Sequence, residues 1–244
     1  MSISNLKIAE LLNEVCWPCD LSDEFKQTIV QAGMIVKRQQ GYYHLTSDLT
    51  NDGLFYLLEG SVIISIRTSD FDHFTYKLLG KGDFLYYGKL MDYRLQESIN
   101  ADFLQDTTFL KVTDTHMLEL ASTQPEIYKL MFSILKQNTL PLVQKGILNQ
   151  KFSIPIKVAF ALLDVASKQV DINGVTPMLT ITQQQLANLA DVTRPRVNVV
   201  LNEFANQGLV EIVRRKIYLL NVQGINDLLI NANLTFYSPS ITEQ

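Results

Sequence analysis

Two arginines and an asparagine lie close together in the stretch ADVTRPRVNVVLNEF, residues 190–204. Arg194 and Arg196 each carry a planar guanidinium, which donates paired hydrogen bonds to phosphate oxygens or to the O6 and N7 atoms of guanine. The amide of Asn198 can bond adenine, and the methyl groups of Val199 can contact a thymine methyl group. The chemistry that these side chains favour is the binding of a nucleic acid near the start of a helix.

The basic surface is local, because the chain as a whole is acidic. Its 244 residues carry a formal net charge of −4. Between Thr182 and Asn221, however, five basic residues stand against three acidic ones, a local balance of +2. If Arg194 and Arg196 were the only observation, they could simply be solvated residues on a surface helix without a binding role. The elements around them decide between that explanation and a nucleic-acid surface.

Two predicted helices position these side chains. The first, TQQQLANLA, begins after Thr182 and has Gln185 three residues later, which is the spacing of a capping box. After a break at residues 191–192, Thr193 is the expected N-cap of the second helix, whose first turn tolerates Pro195. Helix, tight turn and helix form a helix-turn-helix, and the N-terminal part of its second helix enters the major groove of DNA.

Apolar spacing in the second helix predicts its buried side. The residues expected to cover the core are Val192, Val197, Val200, Leu201 and Phe204. Those left on the outer surface are Arg194, Arg196, Asn198, Val199 and Asn202. Two apolar stretches, LVEIV and IYLLN, then flank the basic tripeptide RRK, which predicts a β-hairpin whose tip contacts phosphate. The full set of predicted DNA-contacting residues is Thr182, Thr193, Arg194, Arg196, Asn198, Val199, Arg214, Arg215 and Lys216.

The N-terminal half changes from helical to strand patterns. NLKIAELLNEV predicts an amphipathic helix, and LSDEFKQTIVQAG predicts a second, with Ser22 as its N-cap and Gly33 at its end. From Met34 to Thr113, short β-branched and aromatic runs are separated by Gly, Asp and Asn. Many short strands without long helices between them predict an antiparallel sandwich or barrel.

A long helical pattern follows from Pro125, and Pro141 within it predicts a kink because its ring removes one hydrogen bond. A new amphipathic helix starts after Ser153, which puts a domain boundary near residues 150–153. Several residues of the long helix recur near coiled-coil spacing, so we expect them to face a second copy of the chain. These residues are Ile127, Met131, Ile134 and Asn138.

Other site chemistry is poorly supported. Cys16 and Cys19 have the spacing of a redox pair or of half a metal site, but no βαβ pattern surrounds them. A zinc site would need two further ligands, and the three histidines stand in unrelated segments. We interpret the CWPC stretch as a turn packed under a domain, and we expect no metal. A cupin-type enzyme would need a cluster of metal-binding histidines, so we expect no enzyme activity.

Composition bears on the compartment. With 47% hydrophobic and 19% charged residues, the sequence is typical of a globular protein. No apolar run approaches the roughly 18 residues of a membrane helix. The first residues lack the basic and apolar segments of a signal peptide. We therefore expect a cytoplasmic protein that does not enter a membrane.

With both halves considered, the chain resembles the Crp/Fnr superfamily of bacterial transcription factors, named after the cyclic-AMP receptor protein and the fumarate–nitrate reductase regulator. LFYLLEGSVIIS is similar to its strand–glycine–strand motif, with Gly60 at the turn. LLGKGDFLYYGKL is similar to its "lgpGdffGE" segment, where Gly82 and Gly88 match. IKVAFALLDVA and the stretch TITQQQLANLADVTRPRVNVVLNEFANQGLV resemble its DNA-binding half.

This resemblance implies an α+β fold with three parts. Residues 1–122 would form the N-terminal helices and a β-roll, a jelly roll of the cyclic-nucleotide-binding type. Residues 123–152 would form a long dimerisation helix, and residues 153–244 a winged helix-turn-helix. It also implies a homodimeric, sequence-specific transcription regulator that binds double-stranded DNA. RNA polymerase and a small-molecule effector are further partners compatible with the family. The alternative is a sensor acting mainly through protein contacts, with a weak DNA-binding surface.

On the DNA side, the family pattern is matched in part. Thr193 and Arg194 match a phosphate-contacting hydroxyl and a base-contacting arginine, and Arg196 matches a position that commonly contacts the DNA backbone. Pro195 and Val199 stand where an acidic residue and a second arginine are common. We therefore expect an operator sequence different from the familiar one.

On the sensor side, the departures are larger. Lys89 follows Gly88 where the family has a ribose-binding glutamate, and an ammonium cannot accept a hydrogen bond. Leu95 stands where an arginine holds the cyclic phosphate, with Arg94 one position away. We therefore expect no cofactor and no response to cyclic AMP. The candidate effector pocket comprises Gly82, Tyr86, Tyr87, Gly88, Lys89 and Arg94, which would suit an anionic or aromatic ligand; a filled-in pocket explains these residues equally well.

Overall fold

The computed structural model describes residues 5–44, 52–67, 73–88, 99–169, 178–214 and 216–231. It begins with helices α1 (Asn5–Glu14) and α2 (Asp23–Ala32). Ser22 is the N-cap of α2, and its side chain accepts a hydrogen bond from the backbone N–H of Phe25. Both helices and this cap confirm the sequence prediction.

Eight strands follow in the described residues up to Thr113. They are β1 (Gly33–Arg38), β2 (Gly41–His44), β3 (Gly53–Glu59), β4 (Ser61–Arg67), β5 (His73–Gly80), β6 (Phe84–Tyr87), β7 (Ile99–Phe103) and β8 (Thr107–Thr113). They form two four-stranded sheets, sheet 1 with the order β1-β8-β3-β6 and sheet 2 with the order β2-β7-β4-β5. The registers are antiparallel in both sheets. This is the predicted β-roll, and Gly60 lies at its predicted turn with φ +88°.

Sheet 1 has buried side chains on both faces, and successive side chains of each strand point to opposite faces. Its helix-side face carries Leu54, Tyr56, Leu110 and Val112, which share one core with α1 and α2. Its inner face, which looks into the roll, carries the neighbouring residues of the same strands. Buried side chains on this inner face include Leu57, Phe109 and Lys111.

Two helices follow the roll, α3 (Asp114–Thr123) and α4 (Glu126–Lys151). The sequence patterns did not predict α3, whose N-cap Thr113 belongs to β8 as well. The predicted long helix is confirmed as α4, and it continues through Pro141. The kink at Pro141 stays a prediction.

The buried side of α4 corrects one expectation. Ile127, Met131 and Ile134 are at most 6% exposed and pack in the same core as α1, α2 and the helix-side face of sheet 1. Asn138 is also buried. The prediction that these four residues face a second copy of the chain is therefore wrong. An apolar period shows that a helix face is covered, but it does not show which partner covers it.

The remaining elements belong to the C-terminal part. They are α5 (Ile154–Lys168), β9 (Met178–Leu179), α6 (Gln183–Ala190), α7 (Arg194–Asn206), β10 (Val210–Val213), β11 (Lys216–Leu219) and α8 (Val222–Asn231). The strands pair antiparallel in the order β10-β11-β9. The sequence predicted α5, α6, α7 and the β10–β11 hairpin, but neither the two-residue β9 nor α8.

The chain divides into two compact units. The first comprises Met1–Asp72 with Leu79–Pro141, and the second His73–Leu78 with Leu142–Gln244. The limits expected from the sequence, 1–122, 123–152 and 153–244, differ from these two units, and we keep them as a proposal. Among the described helices, none is long and apolar enough to cross a membrane.

Candidate nucleic-acid interface

The capping box predicted before α6 is present. Gln185 N donates to Thr182 Oγ1 over 3.2 Å, and Thr182 N donates to Gln185 Oε1 over 2.8 Å. Each bond satisfies an N–H group that the first turn of a helix leaves unpaired. Together they fix the residue at which α6 begins.

A short turn at Asp191 joins α6 to α7. Asp191 has a left-handed backbone conformation, with φ 52° and ψ 51°, which aspartate tolerates better than most residues. Val192 N then donates to the carbonyl oxygen of Ala187 over 3.0 Å. Because α7 starts at Arg194, this turn brings the two helices into the predicted helix-turn-helix.

The two sides of α7 have the predicted composition. Its buried residues are Val197, Val200, Leu201 and Phe204, while Val192, just before the helix, is only half-buried. Its exposed residues include Arg194, Arg196, Asn198, Val199 and Asn202. Val199 is 56% exposed, so its methyl groups are available to a partner.

Thr193 is the N-cap of α7, but its side chain forms no capping hydrogen bond. The residue is exposed, so its hydroxyl keeps both its donor and its acceptors for an outside partner. Pro195, in the first turn, lacks an N–H that the helix could not pair in any case. The remaining N–H groups and the helix dipole make this end of α7 suited to an anion such as phosphate.

A contact between the two helices orients Asn198. Gln183 Nε2, at the start of α6, donates to Asn198 Oδ1 over 3.3 Å. The sequence analysis missed Gln183, because a pairing between residues of two different helices leaves no local pattern. With one acceptor position of the amide engaged, Asn198 Nδ2 remains available to donate outward.

The predicted wing is the hairpin of β10 and β11. Val213 pairs with Lys216 at the end of the hairpin, so two residues of the sequence separate the paired strands. Arg214 has φ +47°, the conformation that such hairpin loops commonly require. Arg214 and Lys216 are exposed, whereas Arg215 lies outside the described residues. The described wing residues therefore present two positive charges to the solvent.

The candidate effector residues lie on different faces of sheet 1. Tyr86 and Tyr87 are consecutive in β6, so their side chains point to opposite faces. Tyr86 is part of the helix-side core, and its hydroxyl bonds Asp114 Oδ1 over 2.5 Å. Tyr87 is on the inner face, where burial, and then the charge of Asp52, raises its pKa. Of the two tyrosines, therefore, only Tyr87 faces the interior of the roll.

The two glycines of this group have backbone roles. Gly82 lies in the turn between β5 and β6 with φ +89°, a conformation that favours glycine. A Cβ atom on Gly88 would lie 2.2 Å from Asp114 Oδ1 and 2.6 Å from Tyr86 Oη, so only glycine lets the chain pass this pair. Lys89, Arg94 and Leu95 lie outside the described residues, and so do the predictions made for them.

The CWPC stretch packs against the roll. The rings of Trp17 and Phe84 lie 6.1 Å apart, and Cys16 N donates to the hydroxyl of Tyr56. Both cysteines are free thiols, Cys16 exposed and Cys19 half-buried. Within the described ranges, no group of three or more His, Cys, Asp or Glu side chains could hold a metal ion.

Sequence comparison agrees with this geometry. Residues 156–228, which contain most of α5, the elements from β9 to β11 and most of α8, match the family model of the Crp-like helix-turn-helix domain. The chain has a Crp-like helix-turn-helix domain. The matched residues lie in the C-terminal part of the chain. No curated protein matches the sequence.

Solved structures of Crp/Fnr proteins share the fold. A Crp/Fnr-family protein from Eubacterium rectale is 19% identical, with a TM-score of 0.67 over 88% of this chain and 98% of its own. The Crp/Fnr regulator TTHA1359 from Thermus thermophilus is 20% identical, with a TM-score of 0.62 over 80% and 97%. FixK2 from Bradyrhizobium japonicum is 14% identical, with a TM-score of 0.63 over 80% and 96%. At these identities, the likeness concerns the fold.

Proposed function

We propose that this protein belongs to the Crp/Fnr superfamily and is a sequence-specific transcription regulator that binds double-stranded DNA as a homodimer in the cytoplasm. One observation carries the proposal. Thr193, Arg194, Arg196 and Asn198 form an exposed polar row at the start of α7, in the domain that matches the Crp-like family. The second helix of such a motif places these positions at base edges and phosphates of the major groove.

The wing supports phosphate contact on the same domain. Arg214 and Lys216 are exposed at the tip of the β10–β11 hairpin, and we propose that Arg215 joins them there. Phosphate contacts position a protein on the duplex, whereas base contacts determine sequence preference. We therefore assign phosphate binding to Thr182, Thr193, Arg196 and the wing, and base recognition to Arg194, Asn198 and Val199.

For the dimer, the exposed side of α4 offers a different face from the one predicted. Tyr128, Phe132 and Leu135 are 55%, 70% and 43% exposed, and Thr139 is exposed as well. These residues follow each other at intervals of four, three and four, which is the spacing of a coiled-coil seam. An apolar seam of this kind becomes buried when a second copy pairs with it. We propose this face of α4 as the dimer interface.

The proposed lack of a response to cyclic AMP rests on the sequence. A ribose 2′-hydroxyl needs an acceptor, and Lys89 stands where the family has a glutamate. Leu95 cannot form the planar charged contact that an arginine makes with a cyclic phosphate. Calorimetric titration with cyclic AMP tests this point, and saturable binding tighter than about 10 μM would contradict it.

Selection of bound DNA from a random duplex library tests the main proposal. We expect enrichment of a sequence with two related half-sites spaced by one or more helical turns, because a symmetric dimer presents two recognition helices. The matched control is the Arg194→Ala protein, which should lose preference at one position of each half-site. If the unmodified protein enriches no sequence, the proposal is wrong.

A further inference from the structure

The side chain of Asn198 is held by a partner on the neighbouring helix. Gln183 Nε2 donates to Asn198 Oδ1 over 3.3 Å. Gln183 is the first residue of α6 and is half-buried, whereas Asn198 lies one helical turn after Arg194 in α7 and is exposed. The bond therefore joins the beginnings of the two helices of the helix-turn-helix.

The backbone on each side of this bond is fixed by other contacts. The reciprocal bonds of Thr182 and Gln185 determine where α6 begins, and Gln183 directly follows that cap. On α7, the nearby side chains of Val197 and Val200 are buried and anchor the helix to the domain. Both amides therefore project from fixed backbone positions, so the bond between them has a defined direction.

The two ends of an asparagine amide differ in chemistry but hardly in shape. The NH₂ group is a donor and the carbonyl oxygen is an acceptor, and a half-turn about the last side-chain bond exchanges them. An asparagine without a partner can therefore present either end to a base. In this protein the bond from Gln183 engages Oδ1, so Nδ2 is the end of the Asn198 amide that points to a further partner.

The bases differ in the end of an amide that they bind in the major groove. The keto bases guanine and thymine present an acceptor, O6 or O4, where the amino bases adenine and cytosine present a donor, the N6 or N4 amino group. Adenine also has the acceptor N7, but its pair with asparagine uses both ends of the amide, with the carbonyl oxygen accepting from N6. An outward NH₂ group therefore favours the keto bases.

We propose that Gln183 is a positioning residue for base recognition. It turns the Asn198 amide so that Nδ2 faces the DNA, and Asn198 thereby selects guanine or thymine at the operator position that it contacts. Gln183 acts through Asn198 and does not contact that base itself. This inference rests on the proposed function, because it concerns the same DNA-binding surface.

Gln183→Glu tests the proposal, because an ionised carboxylate only accepts hydrogen bonds. To bond this carboxylate, Asn198 has to donate through Nδ2, which brings Oδ1 to the side of the DNA. The base preference should then reverse from guanine or thymine to adenine or cytosine. We expect the unmodified protein to favour the keto bases at least about threefold and the variant to favour the amino bases by a similar factor, because each preference reflects one hydrogen bond.

The measurement uses the operator selected from the random library. Asn198→Ala identifies the operator position that Asn198 contacts, because the base preference should disappear there. Dissociation constants are then compared for four duplexes that differ at this position only. Gln184→Glu is the matched control: it adds the same charge one residue further along α6, where the side chain bonds Asn188 and not Asn198. It should weaken binding to all four duplexes and leave their order unchanged.

The outcomes separate this inference from the proposed function. If the unmodified protein binds a selected operator and Gln183→Glu keeps the same base preference, only the role of Gln183 is overturned. The same conclusion follows if the unmodified protein prefers adenine or cytosine at the contacted position, or if Asn198→Ala changes the preference at no position. If no operator is selected, the proposed function is contradicted, and the orientation of Asn198 is then tested on the free protein.

NMR of the ¹⁵N-labelled protein measures this orientation without DNA. The Nδ2 protons of Asn198 are identified by their absence from Asn198→Ala. At neutral pH they should move downfield in Gln183→Glu, where they bond a carboxylate, and stay in place in Gln184→Glu. Unchanged Asn198 signals in Gln183→Glu would overturn the proposal.

Discussion

Asn149 Nδ2 donates a hydrogen bond of 2.8 Å to Oδ2 of Asp191. Asn149 lies near the end of α4, and Asp191 is the left-handed residue between α6 and α7. Lys157, in α5, donates in turn to the carbonyl oxygen of Asn149 over 2.8 Å. The end of the long helix is thus tied to the turn that sets the angle between the two helices of the DNA-binding motif.

Substitutions at Asp191 separate its backbone conformation from its hydrogen bond. Asp191→Gly loses the bond but adopts the left-handed conformation freely, whereas Asp191→Ala loses the bond and has to hold a strained backbone. Because this conformation costs a residue with a Cβ atom about 1–2 kcal/mol, the alanine variant should be the less stable by about that amount. Hydrogen exchange of the amides in α6 and α7 measures the difference.

Asn149→Ala is the control for the bond itself. It should reduce the same protection by about 1 kcal/mol or less, as Asp191→Gly does, because each variant removes one partly exposed hydrogen bond. Equal exchange in the glycine and alanine variants would show that the turn does not require the left-handed conformation.

Substitutions of Arg194 and of Lys216 should have different effects on DNA binding. Arg194→Ala should weaken binding to the selected operator by about 1–3 kcal/mol and relax preference at one base position. Lys216→Ala should weaken binding to all DNA sequences by the same factor. It should also reduce the slope of log K against log salt by about 1, because it removes one phosphate contact. Titrations at several salt concentrations distinguish the two. Lys37→Met, in the β-roll, should change neither quantity; an Arg194→Ala protein with normal affinity and preference would refute the assignment of α7.

Dimerisation should depend on Phe132 and not on Ile134. Phe132→Glu places a charge in the proposed seam and should yield folded monomers, as judged by light scattering and by an unchanged circular dichroism spectrum. Ile134→Glu buries a charge in the core of the β-roll unit, where Ile134 is 1% exposed, and should unfold that unit instead. A Phe132→Glu protein that remained fully dimeric would place the interface elsewhere.

The parts of the structure that were predictable from the sequence depend on neighbouring residues. The capping box of Thr182 and Gln185 and the buried side of α7 follow from spacings within one helix turn or two, so the sequence displays them directly. The prediction that the buried face of α4 meets a second copy of the chain is wrong, because this face packs in the core. Apolar residues occur on both sides of that helix, and the choice between an internal and an external partner depends on tertiary packing.

No sequence pattern predicted the contacts between residues that are far apart in the chain. Gln183 orients Asn198 across two helices, and Asn149 bonds Asp191 from a third. The burial of Lys111 was not predictable either. Side chains alternate along TTFLKVT, so Lys111 lies on the other face of the sheet from Leu110 and Val112, and this face would be exposed to water if only one face of the sheet were covered. In the folded chain Lys111 is nevertheless only 5% exposed.

The burial of Lys111 has a consequence for the pH dependence of stability. Burial, and then Arg38, lowers the pKa of this lysine below its usual value of 10.5. Between the lowered pKa and 10.5, the unfolded chain therefore binds a proton that the folded chain has lost. The free energy of unfolding then rises with pH across this window, and the destabilisation caused by the buried charge is fully present only below it.

Urea unfolding of the unmodified protein and of Lys111→Met, at a series of pH values from about 7 to 10, measures this effect. The stability of the unmodified protein relative to Lys111→Met should increase as the pH rises, because only the former carries the lysine. Tyr56 and Tyr87, whose pKa values burial raises, act in the opposite sense above about pH 10, where the unfolded chain loses their protons first. Both proteins contain these tyrosines, so their effect cancels in the comparison. As the control, Lys37→Met should show the same change of unfolding free energy with pH as the unmodified protein. If Lys111→Met also showed that same change, Lys111 would keep an ordinary pKa in the folded chain.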